Sequence, residues 1–296
     1  MITDGATAAN ALITGEVDWI EIPLPDLLPM LRRAPGVKTG ILDEAGQKHI
    51  LRPNHVVAPT DNIAIRRALM AAMNQKEIMT AVMGGDPENA LTNINFLMTS
   101  DKSVDDIGME NLRAPRPPAE VKAMLNKAGY KGEPLVLLHP TDHTFYNPSS
   151  SVIAHLLREA GFTVDNVPMD WGTVQVRRSS REPLNKGGWS IFCTVVPAPD
   201  YESPLQADFM RGQGKSGWFG WAEDPQMEAI HDQWLSAIDP AEQTRLAREF
   251  QRRAFEFLPF IPLGGYRQTS AWRDNVRGIL KALMALFIGV GYHRGV

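Results

Sequence analysis

Apolar residues recur at helical or alternating spacing along most of the chain, and the points where the spacing changes mark its elements. The opening reads as a helix through Ala6 to Ile13, capped by Thr3 or Asp4 and stopped by Gly15, followed by a strand at Val17 to Ile22. A short helix at Asp26 to Arg33 comes next. Val37 to Leu42 and Lys48 to Arg52 read as two strands separated by the turn-like run Asp43, Glu44, Ala45, Gly46, which predicts a hairpin. Pro53, Asn54 and Pro59 then interrupt the pattern, and the chain is expected to cross between domains there. From Asp61 onward Ile65, Ala68, Leu69 and Ala72 fall at i, i+3, i+4 and i+7, the stripe of an amphipathic helix.

Two similar units follow a long Pro-rich polar stretch: AEVKAMLNKAGYKGEPLVLL and SVIAHLLREAGFTVDNVPM. Each reads as a helix closed by glycine, Gly129 or Gly161, and then an apolar strand, which predicts α/β architecture with parallel pairing. A third helix, Trp171 to Arg181, leads into the strand of KGGWSIFCTVVPAPDYESP. That strand stops abruptly at Pro197, Pro199 and Pro204, and its end is expected at the carboxyl edge of the sheet, where α/β folds place ligands. Beyond it come a helix carrying Leu205 and Phe209, the glycine-aromatic run GQGKSGWFGWAEDP, and two more helices. The second, Ala241 to Leu258, puts Leu246, Phe250, Ala254 and Phe257 on one face and its arginines on a solvated one. FIPLGGY and the tail from Thr269 read as a return strand and a closing element.

The composition, 44% hydrophobic and 22% charged over 296 residues, is that of an ordinary soluble chain. A net charge of -4 lacks the broad positive field that nucleic-acid binding needs, so no nucleic-acid partner is expected. The lone Cys193 excludes an internal disulfide and a thiolate zinc site, and within an apolar strand it reads as an inert core thiol. The first residues, MITDGATAANALITG, have no cationic segment before a long apolar core and do not read as a signal peptide. ILKALMALFIGVGY is too short, with Lys281 inside it, to span a bilayer of about 30 Å, and reads as a buried terminal segment.

No catalytic constellation is found. His139 and His143 are separated by Pro140, which argues against the helical metal pair, and nucleophile elbow, phosphate loop and dinucleotide fingerprint are all missing from the sequence. The chain is therefore read as a non-enzyme with neither metal nor cofactor, and Asp105 and Asp106 as solvent-facing acids. Four clusters remain as binding candidates. Asp170 and Trp171 begin a helix after a strand, either as an N-cap with a core tryptophan or as ligand contacts. Arg177, Arg178 and Arg181 either face water or pair with a ligand carboxylate. Asp200, on a proline-stiffened loop, either satisfies its own turn or meets a cationic group. Trp218, Phe219 and Trp221 of GWFGW supply either aromatic cover over the same cleft or core packing.

Taken in order, ALITGEVDWIEIP, LRPNHVVAPTDNIAIRRALMAAMNQKEIM, NKAGY, LLREAGFTVDNVPMDWGTV, KGGWSIFCTVVPAPDYESP, GWFGWAEDP and FIPLGGY resemble the C-terminal part of the peptide/nickel-type extracellular solute-binding proteins of ABC importers. The resemblance implies a periplasmic-binding-protein-like α/β fold, class II and of dipeptide-binding type, with residues 60–259 as one complete lobe. Residues 1–59 and 260–296 are then expected to be parts of the second lobe, in a truncated chain whose unpaired strands invite association and whose solute binding is weak or absent. It implies capture of a peptide or similar small solute for delivery to permease membrane subunits, and a periplasmic location. The rival readings are a remnant or interaction protein without a ligand and, less favoured, a hydrolase. In peptide binders of this family an acid in an Asp-Tyr-x-x-Pro loop meets the peptide α-amino group, and Asp200, Tyr201 and Pro204 occupy that form. The likeness departs just before it, where Val196 and Pro197 replace the usual Gly-Trp that walls the peptide pocket, and at the terminal FIGVGYHRGV.

Overall fold

The structure, a computed structural model, describes all residues except 1, 3, 100, 114, 283–285, 287–289 and 293–296. Its strands are β1 (Trp19–Ile20), β2 (Val37–Ile41), β3 (Gln47–Pro53), β4 (Ala90–Leu91), β5 (Leu135–Pro140), β6 (Val164–Met169), β7 (Ile191–Pro197), β8 (Ile261–Tyr266), β9 (Thr269–Arg273), β10 (Val276–Arg277) and β11 (Gly291–Tyr292). The helices are α1 (Gly5–Thr14), α2 (Leu28–Leu31), α3 (Ile63–Ala72), α4 (Gln75–Met83), α5 (Lys102–Asp105), α6 (Glu110–Arg113), α7 (Pro118–Lys127), α8 (Tyr146–Glu159), α9 (Trp171–Arg177), α10 (Pro225–Ser236) and α11 (Pro240–Phe257).

Local chemistry explains most of these boundaries. Asp4 caps α1 by accepting from the Thr7 amide at 2.7 Å, and Gly15 closes it in the left-handed region at φ 83°. The helices α7 and α8 end as expected at Gly129 and Gly161, both at positive φ. Each is followed by a strand, and β5 and β6 pair in parallel from Leu135↔Val164 to Pro140↔Met169. The segment after Pro204 forms short 3-10 turns rather than a helix, and α9 stops at Arg177.

A six-stranded sheet in the order β4-β8-β3-β7-β5-β6 forms the centre of the larger unit, and a three-stranded sheet β1-β9-β2 forms the smaller one. This corrects the hairpin reading. The strand β2 pairs antiparallel with β9 over Val37↔Arg273 to Ile41↔Thr269, whereas β3 lies between β7 and β8 in the other sheet. The chain therefore passes between sheets at residues 42–46, not at Pro53 to Pro59, and returns at Arg267 and Gln268. The expectation that residues up to 59 and from 260 belong with the smaller unit fails for β3 and β8, which are central strands of the larger one. The reason is alternation with a charge in it: Lys48, Ile50 and Arg52 share a face that is fully buried, and only a two-sided core accommodates that strand.

The larger core runs from α3, α4 and α8 across the sheet to α11 and includes Leu51, Leu69, Ile78, Ile153, Ile191, Phe250 and Ile261. The smaller core consists of Ala9, Leu12, Leu28, Leu31 and Ala271. Where the units meet, buried Asp86 takes Arg32 Nη2 at 2.5 Å and the Thr269 and Asn89 side chains at 2.7 and 3.0 Å. Gly85 lies so close to the smaller unit that a Cβ there would stand 2.4 Å from the Pro25 carbonyl oxygen. The apolar run near the C-terminus lies largely outside the described residues. Among those described, no helix is long and apolar enough to cross a membrane.

Candidate functional site

Because β5, β6 and β7 are parallel, their carboxyl ends share one edge. The strand β3 runs against β7, with Gln47 opposite Pro197 and Tyr266, so both crossings between the sheets occur at this edge too. The pairing of β5 with β7 extends only through Leu137↔Ile191 and Leu138↔Phe192. Past that point β7 has no strand partner on the β5 side among the described residues, and the Val195 amide donates instead to Tyr146 Oη at 3.3 Å. Tyr146 stacks on His143 with ring centres 3.6 Å apart and meets Trp171 at 4.6 Å. Burial pulls His143 down to about 4 and keeps its imidazole neutral.

Trp171 opens α9, whose cap is Asp170, accepting from Thr173 N at 2.9 Å and Thr173 Oγ1 at 2.5 Å. The Trp171 amide donates to Asp142 at 2.8 Å, tying the starts of the loops after β5 and β6 together. The three arginines of this region have different fates. Arg177 donates to the Gly187 and Gly188 carbonyls at 3.0 and 3.2 Å and fastens the loop that leads to β7. Arg181 donates to the Lys215 carbonyl at 2.6 Å and covers the Trp221 ring at 4.6 Å. Arg178 lies 5.6 Å from the Trp171 ring, 5.5 Å from Trp218 and 4.6 Å from Phe219, and its buried Nε has no acceptor among the described residues, as is also true of Arg66 Nε.

Asp200 stands in the 3-10 turn Ala198–Tyr201 directly after β7, half-buried, and its carboxylate accepts no hydrogen bond from its own turn among the described residues. Burial, and secondarily the nearby Asp208, push its carboxyl above the ordinary range. Tyr201 is placed elsewhere. It is fully buried, beneath Lys48 Nζ at 4.1 Å from its ring centre and against Phe260 at 5.9 Å, so it serves the core. Trp221 is also buried, while Trp218 packs on Phe209 at 4.0 Å. Trp218, Phe219, Trp221, Arg181 and Asp208 line a hollow of about 490 Å³.

The structure thus gathers Trp171, Arg178, Trp218 and Trp221 around one aromatic wall, sets Asp200 near it through Asp208, and leaves Arg177 and Tyr201 in structural roles. Asp208 and Tyr146 were not singled out by sequence reasoning, and His143 was weighed only as half of a metal pair, since no spacing signal marks groups joined only across the sheet. The wall is held from below by Arg52, fully buried, which donates to the carbonyls of Phe209, Phe219 and Pro259 at 2.6, 2.7 and 2.8 Å. Only glycine fits at 220, since a Cβ there would lie 2.6 Å from the Pro53 carbonyl oxygen and φ is +96°. Cys193 is buried, its thiol pushed up to about 12, and has the inert environment expected of it. Asp105, read as solvent-facing, is half-buried and accepts from Thr99 N at 2.8 Å. His139 is held between Asn166 and Asn147.

Two mixed α/β units linked by two chain crossings, with polar and aromatic groups at the shared edge, define a periplasmic-binding-protein type of fold. The chain belongs to the bacterial extracellular solute-binding proteins, family 5, whose middle-region model matches residues 1–207. It is 31% identical over 293 residues to a probable peptide ABC transporter periplasmic-binding protein of Sinorhizobium fredii, covering 97% of this chain and 54% of that one. A dipeptide-binding protein from Pseudoalteromonas, solved in complex with Met-Leu, superposes with a TM-score of 0.74 at 18% identity, covering 99% of this chain and 57% of that one. The binding protein AgaA from A. tumefacien, solved with agropinic acid, gives 0.75 at 20% identity, covering 94% and 55%. The chain spans about half the length of the curated relatives it matches.

Proposed function

We propose that this chain is part of the solute-binding component of an ABC importer, which captures a peptide or similar small solute and presents it to permease membrane subunits in the periplasm. Residues at the carboxyl edge of β5, β6 and β7 form one wall of the cleft, and closure against a second lobe completes it. The observation that carries the reading is Asp200, a carboxylate on a proline-braced turn with no hydrogen bond to its own backbone. A group held that way is prearranged for a cation such as a peptide ammonium. Trp171 and Trp218 supply flat apolar surface beside it. In this reading Tyr201 and Arg177 act by holding the site, not by touching solute.

Calorimetric titration with the dipeptide Ala-Phe and with N-acetyl-Ala-Phe tests the assignment. The free amine is expected to bind on the order of tenfold or more tighter, as charged hydrogen bonds warrant, and Asp200→Asn is expected to erase the preference. Equal binding of both peptides, or a preference that survives Asp200→Asn, overturns it. No binding of either peptide favours the reading as an interaction protein without a ligand.

A further inference from the structure

We propose that Lys48 is a positioning residue of the solute site: from within the core it fixes the Tyr201 ring, and through it the direction in which Asp200 presents its carboxylate to a cation. The inference rests on the solute-binding reading and names a residue that sets the specificity of the same site. It starts from a contrast among buried cations. Arg52 and Arg66 each donate to three carbonyls. Lys48 is as deeply buried, yet among the described residues its Nζ donates to one acceptor, the Phe96 carbonyl, and otherwise meets the Tyr201 ring at 4.1 Å and the Phe260 ring at 5.8 Å. Asp105, the acid whose charge reaches it, accepts from Thr99 N and Oγ1 at 2.8 and 3.0 Å instead.

A buried amine with one carbonyl and two rings for company recovers only part of its lost hydration. Burial accordingly weakens its hold on its proton. An apolar side chain would fill the same space without that cost, so stability does not account for a lysine here. What the lysine adds is direction. The Phe96 carbonyl belongs to a loop that is itself anchored: Gln251 Oε1 accepts from Leu97 N at 2.9 Å, and Asn95 Nδ2 donates to the carbonyls of Asp105 and Ile107 at 2.7 and 2.8 Å. The Asp200 turn has two backbone ties, from Ala198 N to the Gly46 carbonyl at 3.0 Å and from Met98 N to the Tyr201 carbonyl at 2.8 Å. Asp200 lies between them. A carboxylate with no bond to its own turn takes its direction from the turn as a whole, and the contact of the Tyr201 ring with Lys48 Nζ removes the tilt that two ties leave.

Titration with Ala-Phe and N-acetyl-Ala-Phe is repeated on the intact chain carrying Lys48→Met, Tyr201→Leu or both, and amide exchange is followed in each by proton–nitrogen correlation spectra. Lys48→Met is expected to cut the preference for the free amine by about fivefold or more. It is also expected to quicken exchange of the Met98 amide by about tenfold or more while amides of β5 and β6 keep their rates. Tyr201→Leu gives the same loss, and the double variant adds nothing to it, because both substitutions break one contact. Leu69→Ala, which opens the same core from α3, is expected to lower stability with the preference intact. If Lys48→Met does not fold, Tyr201→Leu carries the test. A preference that survives these substitutions, losses that add in the double variant, or an equal loss in Leu69→Ala overturns the proposal. Equal binding of both peptides by the unaltered chain, or binding of neither, strikes the solute reading instead. Met98 exchange then decides the role of Lys48 by itself, and an unchanged rate in Lys48→Met refutes it.

Discussion

The larger and smaller units treat buried charge differently. The six-stranded unit encloses Lys48, Arg52 and Arg66 completely or nearly so, and ties the two arginines to backbone carbonyls that include ones far away in sequence. The three-stranded unit encloses no comparable cation among the described residues. Its core is five small or aliphatic side chains, Ile22, Leu24 and Met30 remain exposed, and its polar anchor, Asp86, is lent by the other unit. The difference teaches where rigidity comes from. In the larger unit, charge locked to carbonyls makes loops part of the core, whereas the smaller unit leans on a polar cluster around Asp86 at the boundary.

Arg52→Leu strikes the larger unit hardest, because it orphans the carbonyls of Phe209, Phe219 and Pro259. A loss of about 4 kcal/mol is expected in urea denaturation, and a loss below about 1 kcal/mol would mean that the loops hold themselves. Asp86→Asn tests the boundary. It removes the charge that Arg32 and Thr269 share and is expected to cost about 2 kcal/mol. Amide exchange is then expected to quicken in β1 and β9 and to stay unchanged in β3 and β7. Uniform quickening would show that the two units unfold as one.

Protonation supplies the gentlest probe of the same contrast. Burial, helped by the nearby His143, pulls His49 from 6.5 down to about 3, so the folded larger unit excludes a proton that the unfolded chain accepts. Its contribution to stability is complete above about pH 6.5 and is lost as pH falls toward 3, with a slope of up to about 1.4 kcal/mol per pH unit. Urea midpoints at pH 7 and pH 5 measure it, and His49→Gln is expected to flatten the slope. A slope unchanged by that substitution would assign the pH response to other groups.

Much of this architecture is legible along the chain because its determinants are neighbours. Asp4, Asp170 and Gly161 announce helix ends through bonds to amides three residues away or through a backbone angle that glycine tolerates. The alternation of helix and strand from Pro118 to Pro197 announces parallel pairing for the same reason. The site was legible in part. Trp171, Trp218 and Asp200 stand out in the sequence as residue types on stiff or capped segments. Nothing local separates Arg178 from Arg177 and Arg181, since all three share a basic run and differ only in what faces them.

What the amino-acid order determined by itself is most of the elements and several of their caps, together with a proline-terminated strand that presents an acid. Which strands pair was decided only in three dimensions: β2 pairs with β9, while β3, buried on both its Lys48, Ile50, Arg52 face and its His49, Leu51 face, lies in the centre of the other sheet. The same holds for charge. Whether an arginine finds a carbonyl depends on segments as distant as Pro259 is from Arg52, and hydrogen bonding reaches about 3 Å, so only packing could assign each partner.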